Sequence, residues 1–540
     1  METSWHVVVL TGPTGSAVEV YPDARDGIAV TFPHQDANFD SASTQTPWRL
    51  GKPCLDRRTA NFGREAWNDE PSDMLGRLEW RLDRLLAWVD AAASGELLQN
   101  GDPLELPAFV KPDLAPSIVF DAAIASLEPL GCDWGFARTS PVAGGRHVRA
   151  LVELRNPIGA PIRTAQWSAA VDPRNARTSA IWVETLSLPV LPPWQGPRTW
   201  RDLRDRLAED GVNLGAILED AGRRLRGKRS EDQPDAILLG FPLAERVGGV
   251  PVQRHWLAVG GLALSSRASV RRGWRKNETN DVRYDRHIPD QPRPLPWIRT
   301  ENWSPDQLRR RGQASQSLRE KRILLIGAGS LGSIVAEQLV RMGASAITVM
   351  DADRLEAGNL SRHALSLAEL GDEKAVALTS HLNTVAPDAR ARALPGSFPP
   401  TTESSRLDVA GHDIVLDCTG DDDVLRAMGG FDWRGEKLFV SLAITWRAEG
   451  LVAFSASEAA FPAEDAITRF AATPAPRVNY DDANVEAIGC WNPVFPADAS
   501  ELHLWAALSC RFLKDAVATN NRLCRYYQLM PDGSVSRTDV

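Results

Sequence analysis

The 540-residue sequence is short of paired cysteines, of long apolar runs and of excess positive charge, and each shortage removes a class of protein. Its six cysteines stand at 54, 132, 418, 490, 510 and 524, and no two form a C-x-x-C pair. That spacing gives neither a zinc site nor a disulfide framework. No stretch reaches the roughly 18 apolar residues of a membrane span, and no basic segment followed by a hydrophobic core opens the sequence. The expectation is a cytoplasmic protein. The formal net charge of -9 and isoelectric point near 5.6 leave no global attraction for nucleic acid. Two short basic runs, residues 223–229 and 271–276, read as solvated faces. There is no internal repeat.

What remains is an ordinary globular composition, 43% hydrophobic and 24% charged. At about 150 residues per domain, the length predicts three or four units. Residues 5–10, 17–21 and 28–32 read as three short strands of an antiparallel meander. After Gly51-Lys-Pro-Cys54-Leu55 comes a helix whose apolar face is Leu75, Leu78, Leu82, Leu85, Leu86 and Val89, starting at Ser72 or Asp73. Further strands (148–154, 180–188, 236–241) follow, interrupted by a helical stretch over 200–226 with a break at Gly211. Residues 288–304 read as a Pro-rich extended linker. The expected boundaries are therefore 1–112, 113–287, 288–304 and 305–540.

The densest chemistry lies between Ile323 and Lys374. An apolar strand runs into Gly327-x-Gly329-x-x-Gly332 and a helical pattern, the arrangement in which backbone N–H groups approach a phosphate at a helix N-terminus. Asp351 and Asp353 close the second strand, and Asn359, Arg362 and Lys374 follow within 23 residues of Asp351. A hydride-transfer enzyme needs only the acid for its ribose, whereas a triphosphate calls for cations. The spacing argues for ATP chemistry over an NAD-dependent oxidoreductase. A non-enzymatic scaffold with a decayed nucleotide domain is a third reading, prompted by Gly420 alone.

With Asp417-Cys-Thr-Gly-Asp421 included, this stretch resembles the adenylation domain shared by ubiquitin-activating enzymes and the sulfur-carrier adenylyltransferases of thiamin and molybdopterin synthesis. The resemblance implies a doubly wound, Rossmann-like α/β domain that uses ATP and Mg²⁺. It implies that Asp351 holds the ribose, that Asn359, Arg362 and Lys374 contact phosphates, and that Gly327, Gly329, Gly332, Asp353 and Asp417 complete the nucleotide pocket. The family reads Asp-x-x-Asp where this chain has Gly420, so Asp421 is the stand-in magnesium ligand. An arginine is expected upstream of the first strand, with Arg309, Arg310 and Arg311 as candidates. A thioester-forming cysteine is expected downstream, at Cys490. Cys132, Cys418, Cys510 and Cys524 lie in apolar contexts and read as core residues.

The stretch around Cys54 resembles a ubiquitin-conjugating enzyme, with its catalytic cysteine after the sheet and a tryptophan (Trp67) and a helix to follow. The usual first helix and His-Pro-Asn motif are missing, and His34 reads as a surface residue. Taken together, the chain resembles the bacterial activating–conjugating fusion proteins of antiphage CBASS operons. That implies an N-terminal α+β conjugating-like domain, an α+β middle domain and the C-terminal adenylation domain. It also implies a reaction sequence. The C-terminal tail of a ubiquitin-like protein or a CD-NTase cyclase would be adenylated, passed to Cys490, then to Cys54, and ligated to a target lysine. A homodimer is expected, with no part for membrane or nucleic acid. The alternative is a sulfur-carrier or peptide adenylyltransferase without a conjugating step, which has no use for Cys54.

Overall fold

The structure, a computed structural model, describes residues 3–12, 15–39, 46–55, 70–107, 109, 118–145, 147–228, 232–266, 278–475, 484–485, 493–494 and 497–540. It divides into two units, Met1–Ala165 with Pro173–Asn302, and Gln166–Asp172 with Trp303–Val540. Both are mixed α/β. Among the described residues no helix is long and apolar enough to cross a membrane.

In the first unit β1 (Trp5–Gly12) and β2 (Gly15–Pro22) form an antiparallel hairpin. Helix α1 (Met74–Ser94) begins at Asp73, whose carboxylate accepts the Gly76 N–H, and stops at Gly95 with φ 77°. It packs Leu85 and Trp88 against Val20 and Leu55. Leu75 and Leu86, expected on the buried stripe, are exposed instead. The indole of Trp88 makes edge-to-face contacts with Trp5 and Phe32, and the larger ring decides which side of the helix turns inward.

Residues 28–32 are not the third strand expected of them. Asn38 is fully buried, and its Nδ2 donates to Ile28 O at 2.7 Å and Val30 O at 3.0 Å. A side chain thereby satisfies the carbonyls a neighbouring strand would have used. The Asn38 Oδ1 in turn accepts from Arg49 Nε at 3.0 Å.

The remainder of this unit is a nine-stranded sheet. Strands β3 (Ile118–Phe120), β4 (Trp134–Pro141), β5 (Arg149–Arg155), β6 (Pro161–Thr164), β7 (Arg177–Glu184), β8 (Ala236–Ala244), β9 (Pro251–Val259), β10 (Trp297–Ile298) and β11 (Thr300–Asn302) take the order β10-β9-β8-β7-β4-β5-β3-β11, with β6 on β5. Side chains alternate between its faces. Ile181, Val183, Ile237 and Leu239 share one core with α2 (Trp200–Glu209) and α3 (Leu214–Leu225), while Ala180, Trp182, Leu238 and Trp256 share another with Ile124. The two helices part at Gly211, whose φ of 80° supplies the left-handed turn. Helix α4 (Glu278–Arg286) packs beside α3.

The expectation of a free linker over 288–304 is corrected here. Trp297 and Ile298 pair with Val259 and Ala258, Leu295 is buried, and the Trp297 indole donates to Pro197 O at 2.9 Å. Prolines are compatible with a sheet edge, and the apolar residues between them bury there.

In the second unit short helices α5 (Pro305–Leu308) and α6 (Gln316–Arg319) precede β12 (Ile323–Ile326), α7 (Ser330–Arg341), β13 (Ile347–Asp351), α8 (Lys374–Val385), β14 (Arg392–Pro395), α9 (Glu403–Ala410), β15 (Ile414–Asp417), α10 (Asp422–Gly430) and β16 (Lys437–Ile444). Then come β17 (Gly450–Glu458), α11 (Ala463–Ala472), β18 (Asn484–Val485), β19 (Pro493–Val494), α12 (Ala499–Thr519), β20 (Leu523–Leu529) and β21 (Val535–Asp539). Eight strands take the order β14-β13-β12-β15-β16-β17-β20-β21, parallel as far as β16. Ile323 and Leu325 face α7, α8 and α12, while Leu324 and Ile326 face α9, α10 and α11, so the sheet is covered on both sides. The strand order reverses between β12 and β15, which opens a crevice at their carboxyl ends.

Replacing Asn38 with alanine strands two carbonyls and removes one acceptor of Arg49, and should cost about 2–4 kcal/mol. Calorimetric melting of Asn38→Ala should show one transition lowered by several degrees; an unchanged trace would contradict this role.

Candidate active site

The crevice is built from the loop after β12. Gly327 has φ 90°, a conformation that favours glycine. A Cβ on Gly332 would lie 2.1 Å from Gly327 O, so this glycine lets α7 pack directly on the loop. A Cβ on Gly329 would meet nothing within 4 Å. Gly329 is the N-cap of α7, and its side faces open space where the helix presents its unpaired N–H groups and positive dipole end. That cradle fits a phosphate, as the glycine spacing predicts.

Asp351, at the end of β13, locks the loop. Its Oδ2 accepts the Ala328 N–H and its Oδ1 accepts the Asp353 N–H, each at 2.7 Å. Asp353 carries the arrangement onward: its carbonyl accepts the Lys374 N–H at 2.8 Å and its carboxylate pairs with Lys374 Nζ at 3.0 Å. Lys374, first residue of α8, is 8% exposed, so its ammonium is held against Asp353 and does not extend into solvent. Asn359 accepts the Glu356 N–H at 3.0 Å in a short 3-10 turn, and its carbonyl accepts the Arg362 N–H. Arg362 and Gly329 line one cavity of about 320 Å³ with Cys418, Thr419, Leu442 and Leu502 among its other walls.

Asp417 and Asp421 differ in kind. Asp417 is fully buried, accepts from Thr419 (N and Oγ1) and from Ser441 Oγ at 2.8 Å, and burial pushes its carboxyl pKa up. It braces the turn from β15 into α10 through Thr419 and ties it to β16 through Ser441. Asp421 is exposed and N-caps α10, accepting the Asp423 N–H at 2.8 Å through one oxygen. Mg²⁺ takes one or two protein carboxylates and fills its remaining positions with water and phosphate oxygens. Asp421 meets that description and Asp417 does not. Gly420 before it has φ 65°, a left-handed turn that favours glycine.

Of the three upstream arginines, Arg309 is corrected out. It is buried, donates to Val340 O and Arg341 O, and forms a two-point pair with Asp388 at 2.8 and 2.9 Å. Those carbonyls end α7, about 18 Å from Gly329 along a helix of this length. A cation there complements the negative end of the helix dipole. Arg310 and Arg311, both exposed, remain candidates.

The cysteines sort by environment. Burial pushes the Cys510 thiol to about 12 and the Cys524 thiol to about 11, and raises Cys418 and Cys132 as well. All four are held as neutral thiols. Cys54 is exposed. Its N–H donates to His34 O at 2.7 Å, and the His34 Nδ1 lies 2.7 Å from Glu105 Oε2. Cys490 and Trp67 lie outside the described residues. Three residues in the second unit escaped the sequence reading: Thr419 and Ser441, which hold Asp417, and His363, which touches the glycine loop. The place of Thr419 inside the Asp417–Asp421 motif and the adjacency of His363 to Arg362 were the signals available.

Residues 95–303 match the family described as the Cap2 central linker domain, and residues 304–426 match the ThiF family. The chain is 45% identical to the ATP-dependent ubiquitin transferase-like protein Cap2 of Enterobacter hormaechei subsp. hoffmannii, over 99% of this chain and 89% of that protein. This chain belongs to the Cap2 family. It is accordingly an ATP-dependent enzyme of the adenylyltransferase and transferase class. The molybdopterin-synthase adenylyltransferase of Salmonella typhimurium is 33% identical over 115 residues, 20% of this chain and 43% of that protein. Among solved structures, E. coli MccB with MccA-N7isoASN gives a TM-score of 0.30 at 12% identity, covering 41% of this chain and 65% of that chain, a likeness too loose to argue from.

The thiol environments lead to a direct expectation. Iodoacetamide at pH 8 should modify Cys54 at least about 100-fold faster than Cys510 or Cys524, because only a thiolate reacts and burial suppresses it. Peptide mass spectrometry reads the rates, and comparable labelling of Cys510 would overturn the assignment.

Proposed function

We propose that the C-terminal sheet adenylates the terminal carboxylate of a partner protein and that the acyl group then moves through two cysteines to an amine. The observation that carries this reading is a cavity lined by Gly329 and Arg362 whose glycine loop is bonded to Asp351, and through it to Asp353 and Lys374, in a chain of the Cap2 family. A carboxylate oxygen attacks the α-phosphorus of ATP, the bond to the β-phosphate breaks, and pyrophosphate leaves. The charges of Arg362 and Lys374 stabilise the negative charge that develops on phosphate. Mg²⁺, when bound with ATP, neutralises phosphate charge, and Asp421 is the carboxylate suited to hold it. Asp351 takes the ribose hydroxyls with the lone pairs its two N–H partners leave over.

The Cys490 thiolate then attacks the acyl carbon and AMP departs, leaving a thioester. Cys490 is assigned by its place in the sequence before α12. Exchange onto Cys54 replaces one thioester with another and is close to isoenergetic, so proximity governs its rate. Attack by a lysine amine on a target releases the Cys54 thiol and completes an amide. Under this reading residues 1–112 are the conjugating unit, 113–287 position it, and 305–540 activate the carboxyl. The activated partner is a ubiquitin-like protein or a CD-NTase of an antiphage CBASS system, and the enzyme works as a cytoplasmic homodimer.

The sequence of transfers is tested on non-reducing gels. The protein, ATP–magnesium and a glycine-ended partner are mixed, and the experiment is repeated with Cys490→Ala and Cys54→Ala. Cys490→Ala should remove both thioesters, whereas Cys54→Ala should leave one that goes no further. An adduct on Cys54 that persists without Cys490 would refute the order.

A further inference from the structure

His363 has no part in the scheme above, yet it grips the same residue of the glycine loop as Asp351, at its carbonyl instead of its N–H. Its Nε2 lies 2.7 Å from Ala328 O, and its Nδ1 lies 3.1 Å from Leu365 N. A backbone N–H only donates, so Nδ1 is the acceptor and the ring proton is on Nε2, which donates to the carbonyl. The imidazole in this geometry is neutral. Burial holds its pKa below the ordinary histidine value, and the nearby Lys374 and His381 act in the same direction, against Asp351 and the Ala328 carbonyl.

Ala328 is therefore held at both polar groups, its N–H by Asp351 and its carbonyl by His363. The Ala328–Gly329 peptide is trans, so the Gly329 N–H points opposite to the carbonyl that His363 holds. Gly329 is the residue whose side faces open space at the N-terminus of α7. Fixing one carbonyl thus aims one donor of the phosphate cradle.

We propose that His363 is a positioning residue for adenylation, its neutral ring orienting the Ala328–Gly329 peptide so that the Gly329 N–H faces an incoming phosphate. The inference rests on the nucleotide reading of this crevice. Protonating Nδ1 would set two N–H groups against each other at Leu365 and loosen the grip. Because the ring's pKa lies below its ordinary value, the grip is intact at pH 7 and is lost only as pH falls through that lowered value.

The test measures binding of ATP–magnesium to the full chain by calorimetry, with adenosine as a ligand that has no phosphates. His363→Ala and His363→Phe should weaken ATP–magnesium about 10-fold, the effect of one hydrogen-bonded donor misaligned, and leave adenosine binding within about twofold. His363→Gln, whose amide can donate to Ala328 O and accept from Leu365 N, should restore ATP affinity to within about threefold and flatten the acid limb of the wild-type pH profile. If His363→Phe and His363→Gln melt at a lower temperature but bind ATP as the wild type does, the residue is only structural and the proposal fails. Wild-type protein that binds no ATP–magnesium at all would sink the nucleotide reading, a failure distinguishable from the first.

Discussion

The Asp351 carboxylate accepts two backbone N–H groups at 2.7 Å, one from the loop after β12 and one from the loop after β13. These are charge-assisted bonds, about twice as strong as neutral ones. The glycine loop and Lys374 are both placed by reference to them. The first fixes the glycine turn on which α7 begins, and the second fixes Asp353, which then holds Lys374 by backbone and side chain. A carboxylate at the end of a buried parallel strand can do this because its main chain is anchored by pairing on both sides, β12 on one and β14 on the other. Lys374 is thus attached to the frame of the sheet, which is what a site that stabilises charge without reorganising requires.

The two units ask different things of the same element. In the C-terminal unit Cys418, Cys510 and Cys524 are held neutral by burial, and Gly329, Arg362 and Thr419 line one crevice. In the N-terminal unit the informative cysteine is exposed, on an irregular stretch held by Gln35 at Gly51 and by Arg84 at Leu55. Under the proposed relay, placing both nucleophiles on one polypeptide raises their effective concentration for each other, and no tight recruitment between separate proteins is needed. The uphill step is then confined to the ATP-dependent one, since each later transfer exchanges one activated acyl bond for another or for a more stable amide.

The adenylation unit was largely readable from its residues, and for a physical reason. Glycines at fixed offsets, an acid closing the second strand and cations just beyond it are demanded by chemistry at the backbone level, where few alternatives fit. Ser441 and His363 were not readable, because a hydroxyl or an imidazole that bonds across 24 or 35 residues leaves no local pattern. Long-range satisfaction also explains the misread N-terminal segment. Residues 28–32 have strand composition, but the buried Asn38 side chain takes the place of a neighbouring strand. Residues 288–302 carry the prolines of a linker, yet Leu295, Trp297 and Ile298 join the sheet edge and bury apolar surface. Arg309 could not be told from its neighbours by spacing, and only the position of the α7 C-terminus separates them.

The central claim is that a carboxylate oxygen of the partner attacks the α-phosphorus of ATP. Its most direct test is to supply a glycine-ended partner with ¹⁸O in both carboxylate oxygens and to follow the label by mass spectrometry after one turnover. Attack at the α-phosphorus makes the labelled oxygen the bridge of an acyl adenylate, so AMP should leave with one ¹⁸O and pyrophosphate with none. Label in inorganic phosphate, together with ADP as the nucleotide product, would mean attack at the γ-phosphorus and would contradict the account.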